Sequence, residues 1–158
     1  MKQMAPRKSH WPLHPLIFTL FTFLLVSCDK TPINGALDGR WQLTSIETPA
    51  TIRKTKDNLV FLSIQLRIAQ WDDFTHNRRY YSHFTHQGDS LFFFEFVHPA
   101  AHSVNDNTNK PISADDLSLG LMDAWGIHTF DTRYRVQTLT HSSLILEKAD
   151  TVLCFRKF

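Results

Sequence analysis

Cysteine is scarce in this chain: 158 residues hold two, Cys28 and Cys154, so a disulfide framework is excluded and packing must hold the fold. Long apolar runs are absent as well. The run at residues 16–26 spans eleven positions interrupted by Thr19 and Thr22, against the roughly 20 that a membrane-crossing helix needs. The first 27 residues carry no acid, only Lys2, Arg7 and Lys8. Without them, 14 Lys plus Arg face 15 Asp plus Glu, one net negative charge. The basic surplus belongs to the start of the chain, and no basic patch argues for nucleic acid. Neither internal repeats nor low-complexity tracts occur.

The first segment runs from a cationic start through a short apolar core to a small residue, the order of an export signal. It ends in Leu25-Val26-Ser27-Cys28, which resembles the lipobox of bacterial lipoproteins. That resemblance implies a diacylglyceryl group on the Cys28 thiol and cleavage between Ser27 and Cys28. Each buried methylene contributes about 0.8 kcal/mol, so two or three acyl chains on one residue make a stable anchor. The expected organisation is a signal at 1–27, a lipidated tether at 28–37 and one domain at 38–158. The membrane is then a partner through Cys28. The expected location is the bacterial cell envelope, on the periplasmic or surface side of the outer membrane.

About 130 mature residues suffice for one domain with a real core. Residues 39–46 mix β-forming residues as a first strand would. From Val60 to Ile68 the even positions are all aliphatic, a period of two that predicts one half-buried strand. Residues 80–86 and 90–97 flank Gln87-Gly88-Asp89, a hairpin signal. On the second of these strands Phe92, Phe94 and Phe96 share a face, which is expected inward. Residues 98–111 lack periodicity and read as a long loop. Ser113 with Asp115 and Asp116 predicts a capped helix of about three turns stopping at Gly126, with Gly120 weakening it. Residues 128–138 alternate as a strand with Phe130, Thr132, Tyr134 and Val136 on one face, and 143–148 and 151–158 form a last hairpin around Ala149-Asp150.

The expected fold is therefore all-β, an antiparallel meander of seven or eight strands with one short helix, closing on itself because closure removes exposed edges. Leu37-Asp38-Gly39-Arg40-Trp41-Gln42-Leu43, Trp125-Gly126-Ile127 and the end from Leu144 to Phe158 resemble lipocalin-like lipoproteins of the Bacteroidetes type. The Gly39-x-Trp41 spacing is similar to the lipocalin first-strand signature. The resemblance implies that Gly39 and Trp41 close the barrel together with Arg156, whose guanidinium would stack on the indole. If Arg156 faces inward, Leu153 and Phe155 face out.

A barrel of this kind either binds a small apolar or amphipathic molecule or is filled and serves as an interaction or structural module of an envelope assembly. Its candidate pocket residues are Tyr80, Ser82, Phe92, Phe94, Phe96, Phe130, Thr132 and Tyr134. A possible envelope protein partner would use loop 98–111 or the helix. No metal, cofactor or catalysis is expected. His83 and His86 point to opposite strand faces, His98 and His102 flank Pro99, and Lys110 stands where a calcium loop at Asn105 would need glycine. Adjacent Asp115 and Asp116 diverge, and Cys154 reads as a small core residue rather than a nucleophile.

Overall fold

The computed structural model describes residues 32–99 and 109–158, so the signal, Cys28 and loop positions such as His102 and Asn105 lie outside the described residues. The described part is a barrel. Its ten strands are β1 (Gly39–Thr48), β2 (Thr51–Lys54), β3 (Val60–Gln65), β4 (Ile68–Asp73), β5 (Arg78–Gln87), β6 (Ser90–His98), β7 (Lys110–Pro111), β8 (Arg133–Leu139), β9 (Ser143–Lys148) and β10 (Thr151–Lys157). Neighbours run antiparallel around the ring β1-β3-β4-β5-β6-β8-β9-β10, and β10 pairs back to β1, so eight strands close. The other two, β2 and β7, are short additions to β1 and β6. One hydrophobic cluster fills the inside, with Trp41, Trp71 and Trp125 each at 0 % exposure.

The stretch 60–68 is two strands rather than one. Gln65 pairs with Ile68, and the chain reverses at Leu66-Arg67 with Leu66 in the left-handed region, φ 57°. Leu66 and Ile68, read as part of the buried face, are 56 % and 46 % exposed. Periodicity misled here because the even-numbered aliphatic series runs straight through the turn. A second strand hid behind it: β4 ends in two acids, yet both are buried. Asp72 accepts a hydrogen bond from Arg79 Nε at 2.6 Å, and Asp73 Oδ1 accepts from the Thr75 and His76 amides in the hairpin turn.

On β6 two of the three phenylalanines expected inward, Phe92 and Phe94, face the other way, while Phe96 points in as expected. Leu91, Phe93 and Phe96 point in, while Phe92 and Phe94 are half-exposed on the outside. A bulge explains how Phe93 and Phe96 share the interior: Tyr81 pairs with Val97 and His83 with Phe94, leaving an extra residue on β6, and Glu95 takes φ 55°.

Ser113 does cap a helix, α1 (Ala114–Ser118), its hydroxyl accepting from the Asp116 amide while the Asp116 carboxylate accepts from the Ser113 amide. The Ser113 amide, and after it the Ser113 hydroxyl, donate to the Asp116 carboxylate and hold its carboxyl below the usual range. The helix is one turn long, not three. Gly120 at φ 73° ends it, and a 3-10 turn over Asp123–Trp125 follows, closed by Gly126 at φ 70°. Within the stretch read as tether, Leu37 is fully buried at the end of a 3-10 turn over Gly35–Leu37. The strand expected from His128 begins only at Arg133, and Phe130 before it is 48 % exposed.

A leucine in the left-handed region costs about 1 kcal/mol relative to a residue that adopts it freely. Leu66→Asn should therefore raise the melting temperature of the domain by about 4 °C, read by circular dichroism.

Candidate functional site

The interior is built around Trp71 of β4. Its indole meets Phe93 of β6 edge-on at 4.8 Å between ring centroids, Phe96 at 5.8 Å and Trp125 at 6.2 Å. Tyr80 packs edge-on to Trp125 at 5.8 Å, and Tyr134 to Phe93 at 6.2 Å. Such edge-to-face pairs add about 0.5–1.5 kcal/mol each beyond the area they bury. Of the eight pocket candidates, Tyr80, Ser82, Phe96, Thr132 and Tyr134 meet here. Phe92, Phe94 and Phe130 do not, since strand phase turns the first two outward and the third precedes its strand.

The polar candidates are engaged with the protein itself. Ser82 Oγ accepts from Trp71 Nε1 at 2.9 Å, and the Thr132 hydroxyl donates to the Phe93 carbonyl. Burial pushes the phenols of Tyr134 and Tyr80 upward; the charge of Asp131 adds to the first shift, and Arg78 opposes the second. Sequence reasoning missed Trp71 and Phe93. Their signal was present, because a strand turning at Leu66 places Trp71 in phase with Ala69, and the register of Leu91 selects Phe93.

One end of the barrel is stoppered by the chain between β7 and β8. Ile112, Leu117, Met122, Trp125 and Ile127 are all buried there. Trp125 Nε1 donates to the Phe61 carbonyl at 3.1 Å. Two arginines of the wall grip the stopper: Arg53 donates to the Asp123 carbonyl at 2.6 Å, Arg78 to the carbonyls of Gly120 and Leu121 at 3.4 Å. Gly126 lies close to Ile46 and Leu153, 3.2 and 3.5 Å from where its Cβ would stand.

The other end is closed by Trp41, which donates from Nε1 to the Leu37 carbonyl at 2.8 Å. The cation over its ring is not Arg156 but Lys157, whose Nζ lies 4.1 Å from the ring centroid. Register is the reason: Trp41 pairs across with Lys157, whereas Arg156 pairs with Gln42 on the outside and donates to its Oε1 at 2.9 and 2.7 Å. Leu153 and Phe155 accordingly point in, against the sequence expectation. Gly39, at φ 117°, is what admits Lys157, since a Cβ there would stand 2.8 Å from its Cε. Burial draws the Lys157 ammonium pKa down against the opposing charge of Asp38.

The sequence model of a family described as the lipocalin-like domain matches residues 23–158. The chain belongs to this lipocalin-like family. Its barrel is similar to the crystal structure of a lipocalin-like protein from Bacteroides uniformis, at 20 % identity, covering 78 % of this chain and 100 % of that one with a TM-score of 0.57. An uncharacterized protein from Bacteroides eggerthii is similar at 17 % identity over 77 % of this chain and 99 % of the other, TM-score 0.51. At these identities the likeness is one of fold. Curated proteins give no match.

Other chemistry is sparse in the described part of this lipocalin-like barrel. Among the described residues no three His, Cys, Asp or Glu side chains gather where they could hold a metal ion. Cys154 is not in the core; it faces outward, half-buried, with its Sγ 3.6 Å from Glu47 Oε1, and burial raises its thiol pKa.

Gly39→Ala should strain the backbone and displace Lys157 from Trp41, lowering stability by about 2 kcal/mol in a urea titration. Combined with Lys157→Met the loss should be smaller than the sum of the two, because the lysine is what the new methyl strikes. The phenols give a pH prediction. Their folded pKa values lie above the unfolded 10.0, so the stability they contribute is complete below about pH 10 and lost above it, where only the unfolded chain ionises. Melting temperature should fall as the pH rises above about 10, and less steeply in Tyr134→Phe.

Proposed function

We propose that this protein is a lipid-anchored envelope module whose barrel is filled and works through its outer surface, as a structural or protein-contacting element. The observation that carries this reading is Trp125, fully buried between Trp71 and Tyr80 at the end where a ligand would enter. Withdrawing it would uncover about 200 Å² of apolar surface, about 5 kcal/mol. The open form would then be populated at only a few parts in ten thousand, and any ligand would lose that factor in affinity. The polar groups that could orient a ligand, Ser82 and Thr132, already bond to Trp71 and Phe93.

The envelope location rests on the lipobox-like Leu25-Val26-Ser27-Cys28 and the cationic, apolar leader before it. A non-catalytic role is supported by an interior that is mostly aromatic and aliphatic, with its Ser82 and Thr132 hydroxyls bonded to Trp71 and Phe93.

A second reading has one observation in its favour. Gly120 and Gly126, both at positive φ, bracket the turn that carries Trp125, so that turn has a glycine at each end. In that reading a small apolar or amphipathic molecule enters when the turn lifts.

Native mass spectrometry of the protein after incubation with a membrane lipid extract separates the two. The filled-barrel reading expects no bound lipid in the wild type and capture of an apolar dye such as anilinonaphthalene sulfonate by Trp125→Ala, which vacates the space. A lipid adduct on the wild type at stoichiometric level would replace it with the ligand-binding reading.

A further inference from the structure

Hairpin tips are normally polar, but the one joining β3 to β4 sets an exposed leucine, Leu66, beside Arg67. Leu66 occupies its left-handed position, where asparagine or glycine is favoured, and is 56 % exposed; Ile68 beside it is 46 % exposed. Ile33, 71 % exposed, lines the same surface cleft as Leu66. Asn34 holds that neighbour in place: its side-chain amide donates to the Leu66 carbonyl at 2.8 Å, and its backbone amide donates to Asp38 Oδ2 at 3.0 Å. Ile33, Leu66 and Phe94 line one surface cleft of about 710 Å³, with the exposed Arg67 at its edge. The acid in that cleft, Glu95, faces His83 at 3.7 Å.

We propose that this tip is a second membrane contact, in which Leu66, Ile33 and Ile68 enter the boundary between headgroups and acyl chains and Arg67 meets anionic headgroups. The proposal rests on the reading of Cys28 as the lipidated residue. Ile33 is five residues past Cys28, so the chain between them reaches at most about 18 Å. That tether brings this end of the barrel, and not the stoppered end, to the lipid surface. Apolar side chains beside a basic residue at that depth are the chemistry an anionic bilayer surface takes up. Leu59 offers an internal comparison. It precedes β3 as Leu66 follows it, has a left-handed φ of 49° and is 49 % exposed, but sits a strand length away, about 20 Å.

The test uses the full chain, processed and lipidated, reconstituted in vesicles of phosphatidylethanolamine and phosphatidylglycerol brominated high in the acyl chains. The mature wild type supplies a background from Trp41, Trp71 and Trp125, all buried. Leu66→Trp should lose about half of its added emission to the bromines, and Leu59→Trp none. Ile33→Trp reads the same surface should the Leu66 variant fail to fold. Equal quenching at the two ends, or none at either with the protein still sedimenting with the vesicles, overturns the contact while leaving the anchor intact. A blue shift of Leu66→Trp that grows with protein concentration without vesicles assigns the tip to a second copy and likewise overturns it. Anchoring is read separately: Cys28→Ala should no longer sediment with vesicles after a salt wash, and one that does removes the premise.

Discussion

Everything in this barrel depends on filling its interior with interlocked aromatic rings. An eight-stranded ring leaves space for side chains or for one small ligand, and a void of that size would forfeit packing from every wall at once. Trp71 prevents that by contacting rings from β6 and from the stopper, while its indole nitrogen is satisfied by Ser82 of β5. The stopper is a condition of this arrangement rather than an ornament on it. Its helix has one turn, too short to be stable alone, so the segment keeps its shape because Trp125, Met122 and Leu117 are buried against the barrel and because Arg53 and Arg78 satisfy its carbonyls.

The closure at the opposite end shows why one spacing in the sequence is informative. Gly39 and Trp41 sit two apart on β1 so that the indole can point in while the glycine leaves room for the cation that covers it. The motif specifies a cation beside the ring but not which residue supplies it. Adjacent Arg156 and Lys157 lie on opposite faces of β10, and only the pairing register with β1 decides between them. That register depends in turn on a bulge at Thr44, a local event with no residue signature of its own.

The same reasoning accounts for what else could and could not be read from the sequence. The closed antiparallel architecture, the Gly88 hairpin, the Ser113 cap and the final Ala149-Asp150 turn were legible, because turn chemistry and capping are local. Misassigned elements share a different cause. At Leu66 an apolar residue stands where a turn residue is normal, so the strand period ran on unbroken. At Glu95 a bulge reversed the phase of a phenylalanine run in which either face looked apolar. Of the pocket candidates, those placed by an uninterrupted strand, such as Tyr80 and Ser82, point inward, and Phe92 and Phe94 were lost to that single extra residue.

Closure at both ends moves the question of function to the outside of the barrel. On the filled-barrel reading proposed above, the interior has little left to offer a ligand, whereas the outer surface retains exposed apolar groups. Some of these have ring and cation partners: Phe61, Phe74 and Phe158 pack around the Arg40 guanidinium, which lies 4.2 Å from the Phe61 ring centroid, with Phe74 and Phe158 still 49 % and 68 % exposed. Leu66 and Ile33 are 56 % and 71 % exposed, and Leu66 also sits in a backbone conformation that a smaller polar residue would adopt at lower cost. Stability alone would not select a leucine there. The membrane contact proposed for it would give it a use, because the residue is held, through Asn34, beside the segment that leads back to Cys28.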